Sequence, residues 1–187
     1  MLRRCTSTGR WKAFGSFAVA LSRTDSRVCA FYLGFGGFRR TTVGTTRCLL
    51  SVANSKFLFC TQVGHAGPLR ESEPGRPIPY LDRVALEFPE LRILAGHIGV
   101  PWLGEMLSLV MKYTNVFIDT SAYKVTRYPK DLIDYMHRSS RHQVLFGSNH
   151  PFWPASECLA GFDKLGLSKK AATLFLADNA KNVFKLN

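Results

Sequence analysis

Four short, nearly continuous apolar runs constrain this chain more than any other feature: "FLFCT" at 57–61, "RILAGH" at 92–97, "NVFID" at 115–119 and "QVLFGS" at 143–148. A strand with one wet face alternates apolar and polar residues, whereas a strand covered on both faces does not, so these runs predict buried strands. Helical patterns lie between them. Leu81, Val84, Ala85 and Phe88 fall at i, i+3, i+4 and i+7, with Pro89 just beyond as a stop signal. Leu103, Met106, Leu107, Val110 and Met111 repeat the stripe behind Pro101, which is placed to start that helix. A weaker helix follows Pro129 through Leu132, Ile133 and Met136; Ser156 and Ser168 are the expected N-caps of the next two, and Asp178 that of a final turn ending in Val183 and Phe184.

Strand starts 35, 23 and 28 residues apart are the spacing of ordinary βα units, and their alternation predicts a parallel sheet. An open doubly wound sheet and a piece of a (β/α)8 barrel both fit that order. The polar residues favour the barrel, because His65, His97, Asp119 and Asn149 each stand at or just after the carboxyl end of a run, where barrel enzymes carry their chemistry. Glycine precedes both His65 and His97 and permits a sharp exit from a strand. Neutral imidazole is a common metal ligand, so two such histidines at neighbouring exits make half of a zinc-type site; a histidine alone is more often a satisfied structural residue.

The chain carries a net charge of +12, a balance that invites a nucleic-acid reading, but the charge is confined to its head. Residues 1–56 hold ten Lys/Arg against the single acid Asp25, whereas residues 57–187 hold fifteen against twelve. With no stacking-aromatic RNA motif in the remainder, no nucleic-acid partner is expected. The Arg- and Ser-rich start, with Trp11, Phe14, Ala18 and Leu21 on one helical face, has the composition of a mitochondrial transit peptide; a poorly ordered basic N-terminus in a cytoplasmic protein is the other reading. The Phe14–Leu21 stretch is far below the roughly 20 residues of a membrane span, so no membrane partner is expected. Five cysteines without a C-x-x-C pair suggest neither a disulfide framework nor a zinc ribbon. "GFGGFR" at 34–39 fails the dinucleotide fingerprint because Arg39 stands where glycine is needed, and residues 29–50 read as irregular or weak β structure.

Taken together, "TQVGHAGPLRESEPGRPIPYLDRVALEFPEL", "GHIGVPWLGEM", "NVFIDTSAY", "VLFGSNHP" and "FLADNAKNVFKL" resemble the C-terminal half of the amidohydrolase-related metal-dependent hydrolases, in the branch that includes aminocarboxymuconate semialdehyde decarboxylase. The resemblance covers residues 57–187. It implies the second half of a (β/α)8 TIM-type barrel behind an unrelated basic segment at 1–56. It further implies His65 as a metal ligand and His97 as the residue that helps activate metal-bound water or transfers a proton. Asn149 falls where the family places an aspartate that is both ligand and base. The implied cofactor is a divalent metal, with zinc the expected ion. The implied reaction is hydrolysis or non-oxidative decarboxylation of a small carboxylated or carbonyl compound.

Two departures weigh against activity. Asn149 offers one neutral oxygen and cannot accept a proton from bound water. The family's opening His-x-His pair is missing, since the five histidines are 65, 97, 137, 142 and 150, so metal binding is expected to be weak or absent. A full barrel also needs about 250 residues. The rival reading is therefore an inactive, truncated remnant with a vestigial site. Arg70 and Arg76, in the loop after His65, are either a bidentate fork for a substrate carboxylate or solvated loop arginines. Asp119 is expected chiefly to bond the "TSAY" backbone, His150 to stand behind the site, and His137 and His142 to mark a solvated helix end. Four βα units leave two sheet edges, so pairing of two copies into a homodimer is expected.

Overall fold

A computed structural model describes residues 58–65, 71–138 and 143–186 and, within the head, the backbone of two short strands. Arg70, His142, "GFGGFR" and most of the basic segment lie outside the described residues. The head strands, β1 (Ala18–Val19) and β2 (Phe31–Tyr32), pair antiparallel, and β2 comes alongside the first strand of the main sheet. Among the described residues no helix is long and apolar enough to cross a membrane.

The four apolar runs form one parallel sheet in chain order: β3 (Leu58–Gln62), β4 (Arg92–Gly96), β5 (Val116–Asp119) and β6 (Val144–Leu145). Helices alternate with them as expected: α1 (Tyr80–Glu87), α2 (Leu103–Lys112) and α3 (Lys130–Arg138), followed by short α4 (Ala155–Cys158), α5 (Lys169–Thr173) and α6 (Asn179–Phe184). The runs are continuous because both faces are covered. Phe59, Ile93, Ala95, Val116, Ile118 and Val144 enter a core with Val84, Met106, Val110 and Leu132 of α1 to α3. Leu58, Leu94, Phe117 and Leu145 face the other way, onto Val183 of α6. Each fully buried Leu, Ile or Val contributes about 1.5–3 kcal/mol, so the alternate faces drive opposite layers onto one sheet.

The helix stripes hold with one correction. Met111 is 57% exposed, and Leu109, 1% exposed, takes its place, because the buried arc of α2 is turned toward 109 and 110. Two expected caps are also corrected. Pro154, not Ser156, precedes α4, and Asp178 lies inside a continuous helical stretch with helical backbone angles and no side-chain cap bond. Ser168 does cap α5, its hydroxyl accepting from Ala171 N at 3.2 Å. Asn115 fastens the foot of α1 to β5: its Nδ2 reaches the carbonyls of Phe88 and Leu91, each at 3.0 Å, and of Ala85 at 3.4 Å.

The outer side of β6 is closed by the chain itself. Gln143 and Leu145 turn their carbonyls to β5, so the groups of Val144 and Phe146 point away from the sheet. There Asn179 Nδ2 donates to Val144 O at 2.7 Å, and Phe146 N donates to Phe175 O at 3.0 Å. Phe175 belongs to a π-helical turn, Leu174–Asp178, between α5 and α6. Such a turn widens the helix and leaves a carbonyl to bond elsewhere.

Candidate functional site

In the sheet register Gln62, Gly96, Asp119 and Leu145 form one row across the carboxyl ends of the four strands, so the chain leaves every strand at nearly the same level. The β3 and β4 exits are knitted together. Val63 N donates to Gly96 O at 3.0 Å and His65 N to Val100 O at 2.8 Å, while Gly64 N donates to Gly75 O at 2.7 Å. His65 is exposed, and its Nδ1 lies 3.4 Å from Ser72 Oγ, which leaves Nε2 as the ring nitrogen to meet a ligand. The loop carrying Ser72 is held in turn. Arg76 donates from Nε to Glu105 Oε1 at 2.7 Å, and Ile78 N donates to Oε2 at 3.3 Å. The Arg76 guanidinium is thus engaged by the first turn of α2, at 2.5 Å in a second contact.

His97 opens the β4 exit in an unusual backbone. His97, Ile98 and Gly99 are all left-handed, with φ of 70°, 63° and 94°, although a β-branched residue rarely adopts this region. Buried Ile98 is kept there by its amide, which donates to Asp119 O at 3.2 Å, and Gly99 N donates to His97 O at 2.6 Å. The His97 ring is half-buried, and loss of hydration lowers its pKa, so it is neutral at neutral pH.

Asp119 closes β5 on the face shared with Gly96. Its carboxylate accepts Ser121 N at 2.9 Å and Ser121 Oγ at 2.8 Å, the local bonding expected of it. Burial raises its pKa and the Ser121 bonds partly offset the rise. Burial, and secondarily this carboxylate, push the Cys60 thiol to about 12, leaving it protonated and unreactive. At the β6 exit Asn149 is left-handed, φ 66°, a conformation asparagine tolerates, and its carbonyl accepts Phe152 N at 3.0 Å. The loop beyond leaves Phe152 79% exposed and sets Trp153 under Lys124, 4.6 Å from ring centroid to ammonium. Residue types gave no signal for Ser72, Glu105 or Lys124, because each acts through a partner distant in sequence.

The structure therefore brings His65, His97 and Asn149 to the same end of the sheet, with the two histidine exits directly bonded. It does not gather them into a metal cage: among the described residues no three of His, Cys, Asp and Glu stand close enough to hold an ion. A catalytic zinc site takes three protein ligands and a water. The described residues by themselves do not fit a metal.

Known proteins place the arrangement. An uncharacterized TIM-barrel protein of Bordetella bronchiseptica superposes with a TM-score of 0.66 at 20% identity, covering 75% of this chain and 50% of that one. A 2,6-dihydroxybenzoate decarboxylase from Rhizobium gives 0.56 at 18% identity, covering 78% and 56%. An amidohydrolase 2 from Bifidobacterium longum subsp. infantis gives 0.54 at 17% identity, covering 76% and 55%. The chain thus spans about half the length of these solved structures, as a partial barrel does. No curated protein matches its sequence. The family model described as Amidohydrolase matches residues 64–186, and with the sheet, its order and its polar end in place, the chain belongs to the amidohydrolase family.

Proposed function

We propose that this chain furnishes the carboxyl-terminal half of an amidohydrolase-type active site, acting on a small carboxylated or carbonyl substrate by hydrolysis or non-oxidative decarboxylation. The observation that carries this reading is the bonded pair of exits, His65 N to Val100 O, which fastens the two histidine-bearing loops to each other at the carboxyl end of the sheet, the end from which Asn149 also leaves, two strands beyond β4. Neutral His97 takes up or returns a proton at a ring nitrogen. Asn149 orients a polar group through its amide and removes no proton. Arg76, clasped by Glu105, serves the loop behind His65 in preference to a substrate carboxylate. The family generally uses a divalent metal, for which zinc is the proposed ion and His65 the proposed ligand.

The second reading, an inactive remnant with a vestigial site, is favoured by the lack of a metal cage among the described residues and by the amide at 149. Turnover separates the two. The full chain, with zinc added, is offered small aromatic and aliphatic carboxylates, 2,6-dihydroxybenzoate among them, and carbon dioxide release and hydrolysis are followed. Turnover that is lost in His97→Ala supports the active reading. Absence of turnover supports the remnant, and turnover indifferent to His97→Ala removes His97 from the chemistry.

A further inference from the structure

Asp119 meets the exits of both neighbouring strands. Its carbonyl accepts the amide of Ile98, the residue next to His97, at 3.2 Å. Its carboxylate closes a tight turn onto Ser121 through both oxygens. On the other side the β6 exit runs directly against that carboxylate: a methyl group at Gly147 would lie 2.0 Å from Oδ1 and 3.2 Å from Ser121 Cβ. Only glycine lets the chain pass so close. Thr120 completes the join, its amide and hydroxyl donating to Leu145 O at 3.1 and 3.2 Å, while its hydroxyl oxygen accepts Gly147 N at 3.3 Å.

We propose that Asp119 is a positioning residue that fixes the His97 exit on one side and the Asn149 exit on the other, from the strand between them. The turn onto Ser121 sets the aim of the Asp119 carbonyl. That carbonyl holds Ile98 in a left-handed conformation that a β-branched residue rarely adopts. The side chain sets how near Gly147, and so Asn149 two residues later, can approach β5. A carboxylate that only stabilised its own turn would not need the close approach of Gly147. The inference rests on the proposed site for its meaning, but its test does not depend on turnover.

The experiment is nuclear magnetic resonance on the isotopically labelled full chain. Asp119→Ala is expected to shift the ring signals of His97 and the side-chain amide of Asn149, and to speed exchange of the Ile98 and Gly147 amides by about tenfold. Leu94 and Val116, within the sheet, should keep their signals. Asp119→Asn retains an acceptor for Ser121 N and should restore His97 and Asn149 close to their original positions. Gly147→Ala approaches the contact from the other side and keeps the test alive if Asp119→Ala does not fold: the new methyl drives against Oδ1, and the shift should reach His97 across β5. Movement confined to Ser121 in Asp119→Ala, or to Asn149 in Gly147→Ala, overturns the proposal, as does a uniform shift of the whole sheet. Lack of turnover would count against the reaction alone, since these signals do not report on it.

Discussion

The amide of His65 donates to the carbonyl of Val100 at 2.8 Å, so the two histidine-bearing loops form one unit across β3 and β4. The residue that permits it is Gly64, left-handed at φ 87°, where a methyl group would stand 2.4 Å from Val100 O. Gly64→Ala is expected to cost about 1–3 kcal/mol, from the backbone conformation and from prising the loops apart. Urea unfolding measures it. A variant as stable as the parent would mean that the two exits are not fastened at this point.

His97 should titrate below the ordinary 6.5, because burial disfavours its charged form. The unfolded chain, with its histidine at the ordinary value, binds more protons in the window between the folded pKa and 6.5. Stability therefore rises with pH through that window and is lost as pH falls through it. Following the ring proton signals against pH settles the matter, and a midpoint at or above 6.5 contradicts the buried environment.

Asp119 has the opposite sign. Its folded pKa is raised above 3.8 by burial, so the folded chain binds more protons than the unfolded one just above that value, and its contribution weakens as pH rises. Asp119→Asn cannot ionise. Its stability relative to the parent should improve as pH rises above 3.8 toward neutrality. Melting curves of the two proteins across that range are the measurement, and a gap that widens in the parent's favour would refute the assignment.

Asn149 lies in a conformation that aspartate also tolerates, φ 66°, so Asn149→Asp changes the charge with little change in backbone. Zinc binding to the parent chain should be weak, and the substitution should strengthen it by roughly tenfold, about 1.4 kcal/mol, since an anionic oxygen replaces a neutral one. His65→Ala should weaken it. Calorimetric titration in which neither change alters zinc binding would remove both residues from any metal site. Turnover is not expected from Asn149→Asp alone, because the His-x-His pair is still missing from the sequence.

The strands were legible because both their faces are apolar, a property written in consecutive residues such as Ile93, Leu94 and Ala95. The last run promised more strand than exists. β6 stops at Leu145 because Phe146 N turns to a helical carbonyl at Phe175, a partner that local sequence does not reveal. The same limit explains His137, expected at a solvated helix end, whose Nε2 meets Leu165 O at 2.9 Å. It also explains Arg76, whose partner Glu105 is 29 residues away. Residue types at strand ends pointed to His65, His97 and Asn149, because polar side chains stand out where an apolar run stops. The junction at Asp119 was legible only as a local turn, because Ile98 and Gly147 approach it from neighbouring strands.

The closed flank of β6 bears on how the mouth is to be finished. A bare strand edge recruits whatever extended segment arrives, and a half-barrel with one would be finished by growing sideways. Here Asn179 and Phe175 already answer the outward groups of Val144 and Phe146. An incoming strand would first have to evict a helix that also seals the Leu94 and Phe117 layer through Val183. Sideways growth is thereby confined to the β3 side, the side on which β2 comes alongside and from which His65 leaves the sheet.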